Sequence, residues 1–275
     1  MKRVMTIAAC LVFAVAGLFA NGRAAGGAVV DTSLSTVMSK GALVLGLDDS
    51  FPPLGFRNEA NEIVGFDIDL AKEATRRMGI RLVLQPIDWN AKEQELNTGA
   101  IDCIWNGFVV TEERKKVITF TPPYFLQGQI LIVKSNTPYQ KLADLAGKSI
   151  GIQYSSTSLE AINEMPAFKS SLKEIVEYKD YLTAFMDMET GGIEAVVCPL
   201  TVAQDNIQRS GRNFRILGET LDATAFDVGV GFRKGDQALA DKVWEVLVAM
   251  DKDGTVAAIS QKWFGVNISV ISRNY

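Results

Sequence analysis

Short apolar segments alternate with amphipathic segments from residue 42 onward, and this alternation is the feature that most restricts the fold. Residues 42–47 read ALVLGL, and residues 66–78 place Leu70, Ala74 and Met78 on one helical face. The pattern predicts an α/β fold with a mainly parallel sheet. The predicted strands are residues 42–47, 80–85, 101–105, 129–133, 149–153, 174–178, 194–198 and 228–232. The predicted helices are residues 66–78, 91–98, a segment from about 158, 181–190 and 238–252.

The order of these elements predicts two lobes. A first set ends near residues 122–123, a second set follows, and a crossing near 222–227 returns the chain to the first set. We therefore expect a two-lobed clamshell, with residues 36–125 plus 225–275 in lobe one and residues 126–221 in lobe two. Ligands of open α/β sheets bind at the carboxyl ends of the strands, so the ligand should lie between the lobes. The candidate ligand-binding residues at these ends are Asp48, Phe51, Trp89, Asn106, Gly107, Ser156, Thr157 and Cys198.

The segment 101–124 supplies a candidate for anion binding. Thr111 is a residue type that caps helix N-termini, and Glu112 and Glu113 would stand in the first turn, where the helix dipole favours negative charge. Arg114 would stand in the same turn, where the dipole opposes a cation. Two interpretations follow. Either Arg114 clamps a ligand carboxylate through two parallel hydrogen bonds, or it faces solvent and pairs with a neighbouring glutamate.

The helix predicted at residues 66–78 begins with two aspartates. We interpret Asp67 as its N-terminal cap. Asp67 and Asp69 superficially resemble paired catalytic carboxylates, but positions i and i+2 of a helix do not face each other.

The N-terminus has the three regions of a secretory signal peptide. Lys2 and Arg3 precede the apolar run 5–20, and small residues follow. The run is shorter than the roughly 20 residues of a membrane span. We expect export with removal of residues 1–22, and we discount lipidation at Cys10. Cleavage removes two positive charges, so the net charge of −4 becomes −6, and an acidic protein of this kind is not expected to bind nucleic acid.

The chain has no histidine, which excludes Ser-His-Asp triads, Cys-His dyads and histidine-ligated metal sites. We therefore expect no enzyme activity, no cofactor and no metal. The mature chain keeps Cys103 and Cys198, each after an apolar strand pattern in a different half of the sequence. Two buried free thiols are predicted rather than a disulfide.

Several motifs resemble those of the extracytoplasmic solute-binding proteins of polar amino-acid ABC importers (solute-binding protein family 3). They are GFDIDL (65–70), NG (106–107), TEERKK (111–116), FTPPY (120–124), DLAGK (144–148), GFRKGD (231–236) and KWFG (262–265). The resemblance implies the type II periplasmic-binding-protein fold with two hinge crossovers. It also implies a small-molecule ligand, an amino acid or carboxylate, that lobe closure traps and an ABC permease receives. The expected protein is a monomer in the periplasm or another extracytoplasmic location, free or membrane-associated.

The resemblance also implies roles for individual residues. Phe51 and Trp89 would sandwich the ligand's side chain, although core packing is the alternative for both. Arg114 would bind the ligand's carboxylate. Gly107 and Thr157 would complete the carboxylate site with backbone amides and a hydroxyl.

Two positions depart from the family pattern. Val109 stands where the family usually has Ser or Thr, and Pro199 stands where an aspartate normally pairs with the ligand's α-ammonium. Proline has neither charge nor a backbone donor, and an unpaired buried ammonium is costly. Either another acid compensates, with Asp48, Asp49 and Asp88 as candidates, or the ligand lacks an α-ammonium.

Two other functions would need features that the sequence lacks. A dehydratase resembling cyclohexadienyl dehydratase would need a cleft acid to protonate a leaving group, and none of the predicted strand ends of lobe two carries one. A ligand-sensing receptor would need a membrane span, and no later segment approaches that length. The sequence favours a transport-binding protein.

Overall fold

The computed structural model describes residues 30–209, 211–219, 221 and 225–274. The signal peptide predicted at residues 1–22 lies outside this part of the chain, as does half of the crossing predicted near 222–227. The helices are α1 (Ser33–Lys40), α2 (Phe66–Met78), α3 (Lys92–Thr98), α4 (Glu112–Val117), α5 (Ser158–Asn163), α6 (Pro166–Ser171), α7 (Tyr181–Thr190), α8 (Leu200–Arg209), α9 (Gln237–Lys252) and α10 (Thr255–Phe264). The strands are β1 (Ala42–Leu47), β2 (Ser50–Phe51), β3 (Gly55–Arg57), β4 (Ile63–Val64), β5 (Arg81–Pro86), β6 (Cys103–Ile104), β7 (Ile118–Phe120), β8 (Phe125–Gln127), β9 (Gln129–Lys134), β10 (Ser149–Gln153), β11 (Glu174–Tyr178), β12 (Ala195–Pro199), β13 (Phe214–Ile216), β14 (Phe226–Val228) and β15 (Gly231–Arg233).

Sheet one has the strand order β5-β1-β6-β15-β7. Strand β1 pairs in parallel with β5, from Ala42 opposite Arg81 to Leu47 opposite Pro86, and also in parallel with β6. Strand β15 runs antiparallel to both β6 and β7. Helices α1 and α3 contact β1, while α2, α9 and α10 pack against one another. Strand β1 is almost fully buried, which explains its uniformly apolar sequence, since parallel strands are covered on both faces.

Sheet two has the strand order β11-β10-β12-β9-β13. Strand β10 pairs in parallel with β11 and β12, and β9 runs antiparallel to β12 and β13. Helices α5 and α7 contact β10 and β12, and α8 contacts β9 and β13. The two sheets give the chain the expected two-lobed α/β architecture, with the same parallel core in each lobe.

A two-stranded antiparallel sheet links the lobes. In the sequence, β8 lies between β7 of sheet one and β9 of sheet two, and β14 lies between β13 of sheet two and β15 of sheet one. Strands β8 and β14 pair with each other, with Gln127 opposite Phe226 and Phe125 opposite Val228. These strands form the two hinge crossovers of the clamshell.

The structure confirms the strands predicted at 42–47, 149–153 and 174–178 and the helices predicted at 66–78 and 181–190. Two predicted strands differ. Only Cys103–Ile104 of the segment 101–105 is a strand, and the segment 228–232 is divided between β14 and β15. The division occurs because Val228 pairs within the hinge, whereas Gly231 pairs with sheet one. The apolar segment 228–232 therefore contributes residues to two different sheets.

Both cysteines of the described chain, Cys103 and Cys198, are buried free thiols, as predicted. Burial raises the pKa of each thiol, so neither is poised to form a thiolate. Within the described residues, no helix combines the length and apolar character needed to cross a membrane.

Candidate functional site

A cavity lies where the strand ends of the two sheets and the hinge strand β8 meet. Eight of the nine predicted site residues line it: Asp48, Phe51, Trp89, Asn106, Gly107, Arg114, Ser156 and Thr157. Six further residues complete the lining: Val109, Gln127, Gln129, Gln153, Tyr181 and Pro199. The rule that ligands bind at strand ends therefore brings together residues that are far apart in sequence.

The prediction for Cys198 is corrected. Its side chain is fully buried in the apolar core and does not line the cavity. Neighbouring side chains of a strand point to opposite faces, and the adjacent Pro199 is the residue of β12 that lines the cavity. The sequence places the strand end correctly but assigns the wrong face.

Arg114 is positioned by the start of α4. The backbone N–H of Arg114 donates to Thr111 Oγ1 at 3.2 Å, which confirms Thr111 as the cap. Its guanidinium donates to the carbonyls of Val109 at 2.8 Å and Ser155 at 2.9 Å, and lies 4.8 Å from the centre of the Phe108 ring. Because two carbonyls do not exhaust the donors of a guanidinium, others remain for a ligand.

The alternative interpretation of Arg114, an ion pair with a neighbouring glutamate, is wrong. Glu112 pairs with Lys115 at 2.8 Å, and Glu113 pairs with Lys116 at 2.5 Å. All four of these side chains are exposed, as expected for a solvated helix surface. Arg114 lies on the other side of the helix and lines the cavity.

Asp48 follows β1 and reaches across to sheet two. Its carboxylate accepts from the Ser50 backbone N–H at 2.9 Å and from Gln153 Nε2 at 2.7 Å. Its own N–H donates to Asn106 Oδ1 at 3.0 Å. Burial raises the pKa of Asp48 to about 6, against the opposing effect of its hydrogen bonds. A cation in the cavity would stabilise the ionised carboxylate.

The two other acids considered for an ammonium are used elsewhere. Asp49 forms an ion pair with Arg57 at 2.6 Å. Asp88 caps the short 3₁₀ helix Trp89–Ala91, accepting from the Asn90 N–H at 2.9 Å. Neither residue lines the cavity, so Asp48 is the candidate that remains.

Phe51 and Trp89 are both packed in the core and exposed to the cavity. Only 6% and 7% of their surfaces are exposed, respectively, and both line the cavity. The Phe51 ring lies 5.8 Å from that of Tyr181, and Trp89 packs edge-on against Phe108 at 5.8 Å. Each ring is packed against another aromatic ring and also borders the cavity.

Gly107 is held by a buried aspartate. Its backbone N–H donates to Asp67 Oδ2 at 2.7 Å, and Asp67 Oδ1 accepts from the Tyr124 hydroxyl at 2.8 Å. Asp67 is fully buried, and burial raises its pKa to about 7 despite both hydrogen bonds. The prediction that Asp67 caps α2 is wrong, because Gly65 occupies the cap position and no side chain caps it. The Gly107 amide is likewise already used, so it is not the ligand's donor.

Sequence reasoning missed Gln127, Gln129, Gln153 and Tyr181. Gln127 is the last residue of β8, and Gln129 is the first residue of β9. A signal was present in Gln129 and Gln153, which are polar ends of otherwise apolar strands. Both ends of the Gln129 amide are hydrogen-bonded, since it donates to Thr157 Oγ1 at 3.1 Å and accepts from Ser158 Oγ at 3.0 Å.

Known proteins resemble this chain in sequence and in structure. The sequence model of the bacterial extracellular solute-binding proteins, family 3, matches residues 43–266. The L-cystine-binding protein TcyJ of Escherichia coli (strain K12) is 29% identical, over 86% of this chain and 87% of that protein. The structure of Tv2483 bound to L-arginine matches with a TM-score of 0.84 and 36% identity, covering 89% of this chain and 99% of that one. The ancestral amino acid-binding protein AncCDT-1, a precursor of cyclohexadienyl dehydratase, matches with a TM-score of 0.77 and 30% identity, covering 84% and 99%. This chain belongs to the bacterial extracellular solute-binding proteins, family 3.

Proposed function

We propose that this protein is the extracytoplasmic binding component of an ABC importer and that it holds a polar amino acid or a related small carboxylate between its lobes. The observation that supports this most is the arrangement of Arg114 and Asp48 on one cavity. A guanidinium with donors to spare suits a carboxylate, and a buried carboxylate suits an ammonium. An L-cystine-binding protein is similar to this chain in sequence, and a structure bound to L-arginine shares its fold.

In the proposed complex, Arg114 and the hydroxyl of Thr157 bind the ligand's carboxylate, while Phe51 and Trp89 contact its side chain. Thr157 Oγ1 already accepts from Gln129, so its proton is free to donate. We include Asn106 and Ser156 because they line the same cavity.

Lobe closure is supported by hydrogen bonds between residues of the two sheets. Ser155, after β10, accepts from Arg114 through its carbonyl and donates from its hydroxyl to Asn90 Oδ1 at 2.7 Å. Gln153 bridges to Asp48. Since Arg114 and Asp48 also line the cavity, a ligand that orders them would favour closure. We propose lobe boundaries at residues 36–125 plus 225–275 and 126–221, which agree with the sheet membership of the strands.

An enzymatic role is less well supported, although AncCDT-1 is a precursor of a dehydratase. The cavity-lining residues from sheet two and its helices are Gln129, Gln153, Ser156, Thr157, Tyr181 and Pro199, and none is an acid that could protonate a leaving group. We propose that the protein turns over neither prephenate nor arogenate. Product formation by the purified protein would refute this.

We further propose that the protein is exported, acts as a monomer and delivers its ligand to a membrane permease. Size-exclusion chromatography with light scattering tests the monomer. For the ligand, we propose a thermal-shift screen of the purified mature protein with each amino acid beside its deaminated analogue. Stabilisation by at least one amino acid or carboxylate is expected, and no shift with any compound would contradict the proposed function.

A further inference from the structure

The charges on the cavity wall limit the ligands that can be buried there. Among the lining residues of the described chain, Asp48 is the acid and Arg114 is the base. Both side chains reach across to the other lobe, Asp48 through Gln153 and Arg114 through Ser155. A ligand enclosed between them would therefore meet one fixed charge of each sign.

Charged residues just outside the cavity make contacts with other partners. Asp49 pairs with Arg57. Lys92 is buried behind Trp89, where its Nζ lies 4.0 Å from a Glu93 carboxylate oxygen and donates to two backbone carbonyls. Asp180 caps α7 by accepting from the Thr183 N–H at 2.7 Å. Asp180 acts electrostatically on Asp48, and Glu93 and Glu160 on Arg114, but none of these acids lines the cavity.

We infer that the cavity selects a zwitterionic amino acid whose side chain carries no net charge. This inference rests on the proposed function and names the ligand class. The ligand's carboxylate and Asp48 supply two negative charges, and its ammonium and Arg114 supply two positive ones. A basic side chain would add a third buried cation, and an acidic one a third anion, without a partner in either case.

A polar, neutral group completes the site. Gln127 is 3% exposed and lines the cavity, and its buried Oε1 has no hydrogen-bond partner among the described residues. Buried amide oxygens are nearly always satisfied in native proteins, so this atom indicates a donor on the ligand. An amide can accept from an ammonium or a polar side chain without adding charge. Gln127 therefore suits a ligand with an uncharged polar side chain. An acidic residue at this position would instead suit a basic ligand.

Calorimetry on the purified mature protein at pH 7.5 tests the selectivity. We would titrate the amino acids with uncharged side chains, including L-glutamine, together with L-cystine, and compare them with L-arginine, L-lysine and L-glutamate. The best uncharged ligand should bind at least about 100-fold more tightly than any charged one, the effect of one uncompensated buried charge. L-Arginine, L-lysine or L-glutamate binding as tightly as the best uncharged ligand would overturn the inference. The deaminated analogues are titrated in the same way: if a carboxylate bound and no amino acid did, the inference would fail and the proposed function would stand, whereas if neither class bound, the proposed function itself would fail.

Variants that add a negative charge to the cavity test whether charge balance sets the ligand selectivity. Gln127→Glu adds one negative charge at nearly constant shape and should raise the affinity for L-arginine by about tenfold or more, which is about 1.4 kcal/mol. Pro199→Asp adds a charge independently, on β12, and should act in the same direction. Gln85→Glu, on an exposed position of β5, adds the same charge outside the cavity and should change neither affinity. If uncharged ligands bind the wild type and neither cavity variant gains affinity for L-arginine, charge balance does not set the selectivity.

Discussion

At the scale of single residues, the site depends on side chains whose hydrogen bonds are partly committed before any ligand arrives. Arg114 donates to two carbonyls and Asp48 accepts from two donors, so both groups are held in place. Pre-positioned charged groups bind with less loss of side-chain freedom than mobile ones. The remaining donors of Arg114 and the charge of Asp48 are what a ligand would use.

Asp48 predicts a pH dependence of binding. Burial raises its pKa to about 6, so below pH 6 the carboxyl is largely protonated and must lose its proton to pair with an ammonium. The ligand favours the ionised form, so affinity should rise as the pH increases from 5 to 7, by at most about tenfold per pH unit, and then level off. Calorimetry of the best amino acid across this range measures the effect. Asp48→Asn should bind weakly with a flat profile, and a flat profile in the wild type would rule out Asp48 as the ammonium's partner.

The residues that sequence could identify at this scale are those at predicted strand ends. Asp48 and Asn106 stand in loops whose position follows from the α/β pattern, and Arg114 stands in the first turn of the helix that follows the loop of Asn106. Gln127 could not be found in this way, because it ends the hinge strand β8, whose pairing with β14 depends on the three-dimensional course of the chain.

At the scale of elements, the loop after β6 is fixed by contacts that local sequence does not reveal. Gly107 has φ +62°, and a Cβ there would lie 2.6 Å from Leu54 Cδ1. Asp67, forty positions earlier in the chain, accepts from the Gly107 N–H. The sequence around Asp67 predicts the start of a helix. It does not predict the hydrogen bond of the Asp67 side chain, because that depends on the loop of Gly107 packing beside the helix.

Gly107→Ala should destabilise the protein and weaken ligand binding. The left-handed conformation costs a non-glycine residue about 1–2 kcal/mol, and the close approach to Leu54 adds about 1–3 kcal/mol. Gly99→Ala is a matched control, because Gly99 has φ +80° and open space around the added methyl. Urea unfolding should show a larger loss for Gly107→Ala than for Gly99→Ala. Equal losses of unfolding free energy would mean that the loop accommodates the Gly107 methyl group without strain.

Asp67→Ala should be more destabilising than Asp67→Asn. Alanine leaves the Gly107 N–H and the Tyr124 hydroxyl without their acceptor, at about 1–3 kcal/mol for each buried group. Asparagine keeps one acceptor oxygen for Gly107 and can donate to Tyr124, since a hydroxyl also accepts. Urea unfolding of both variants gives the comparison. An Asp67→Ala variant as stable as Asp67→Asn would show that these hydrogen bonds do not hold the loop.

At the scale of the whole molecule, the sequence predicted two lobes and two crossovers because the order of strands and helices repeats. It could not predict the contacts by which the lobes meet, since these depend on their relative position when closed. Ser155, with φ +51°, is central to these contacts. Its carbonyl accepts from Arg114 and Lys92, and its hydroxyl donates to Asn90.

Asn90→Ala and Ser155→Ala should each weaken ligand binding by about three- to tenfold, because one hydrogen bond between lobes contributes about 0.5–1.5 kcal/mol. Both side chains act through the same contact. The double variant should therefore bind the ligand with the same affinity as the single variant that has the lower affinity. Unfolding stability of the variants should change little, since the site is exposed. Additive losses of affinity in calorimetry would show that the two residues act separately.

Calorimetry on Arg114→Ala, with the best amino acid found for the wild type, tests most sharply whether this guanidinium binds the ligand's carboxylate. Arg114→Lys serves as a second variant, because lysine keeps the charge but not the planar fork of donors. We expect saturable one-to-one binding by the wild type, no measurable binding by Arg114→Ala at the same concentrations, and intermediate affinity for Arg114→Lys, with circular dichroism unchanged in all three. Undiminished affinity in Arg114→Ala would contradict the central claim that this guanidinium binds the ligand's carboxylate between the lobes.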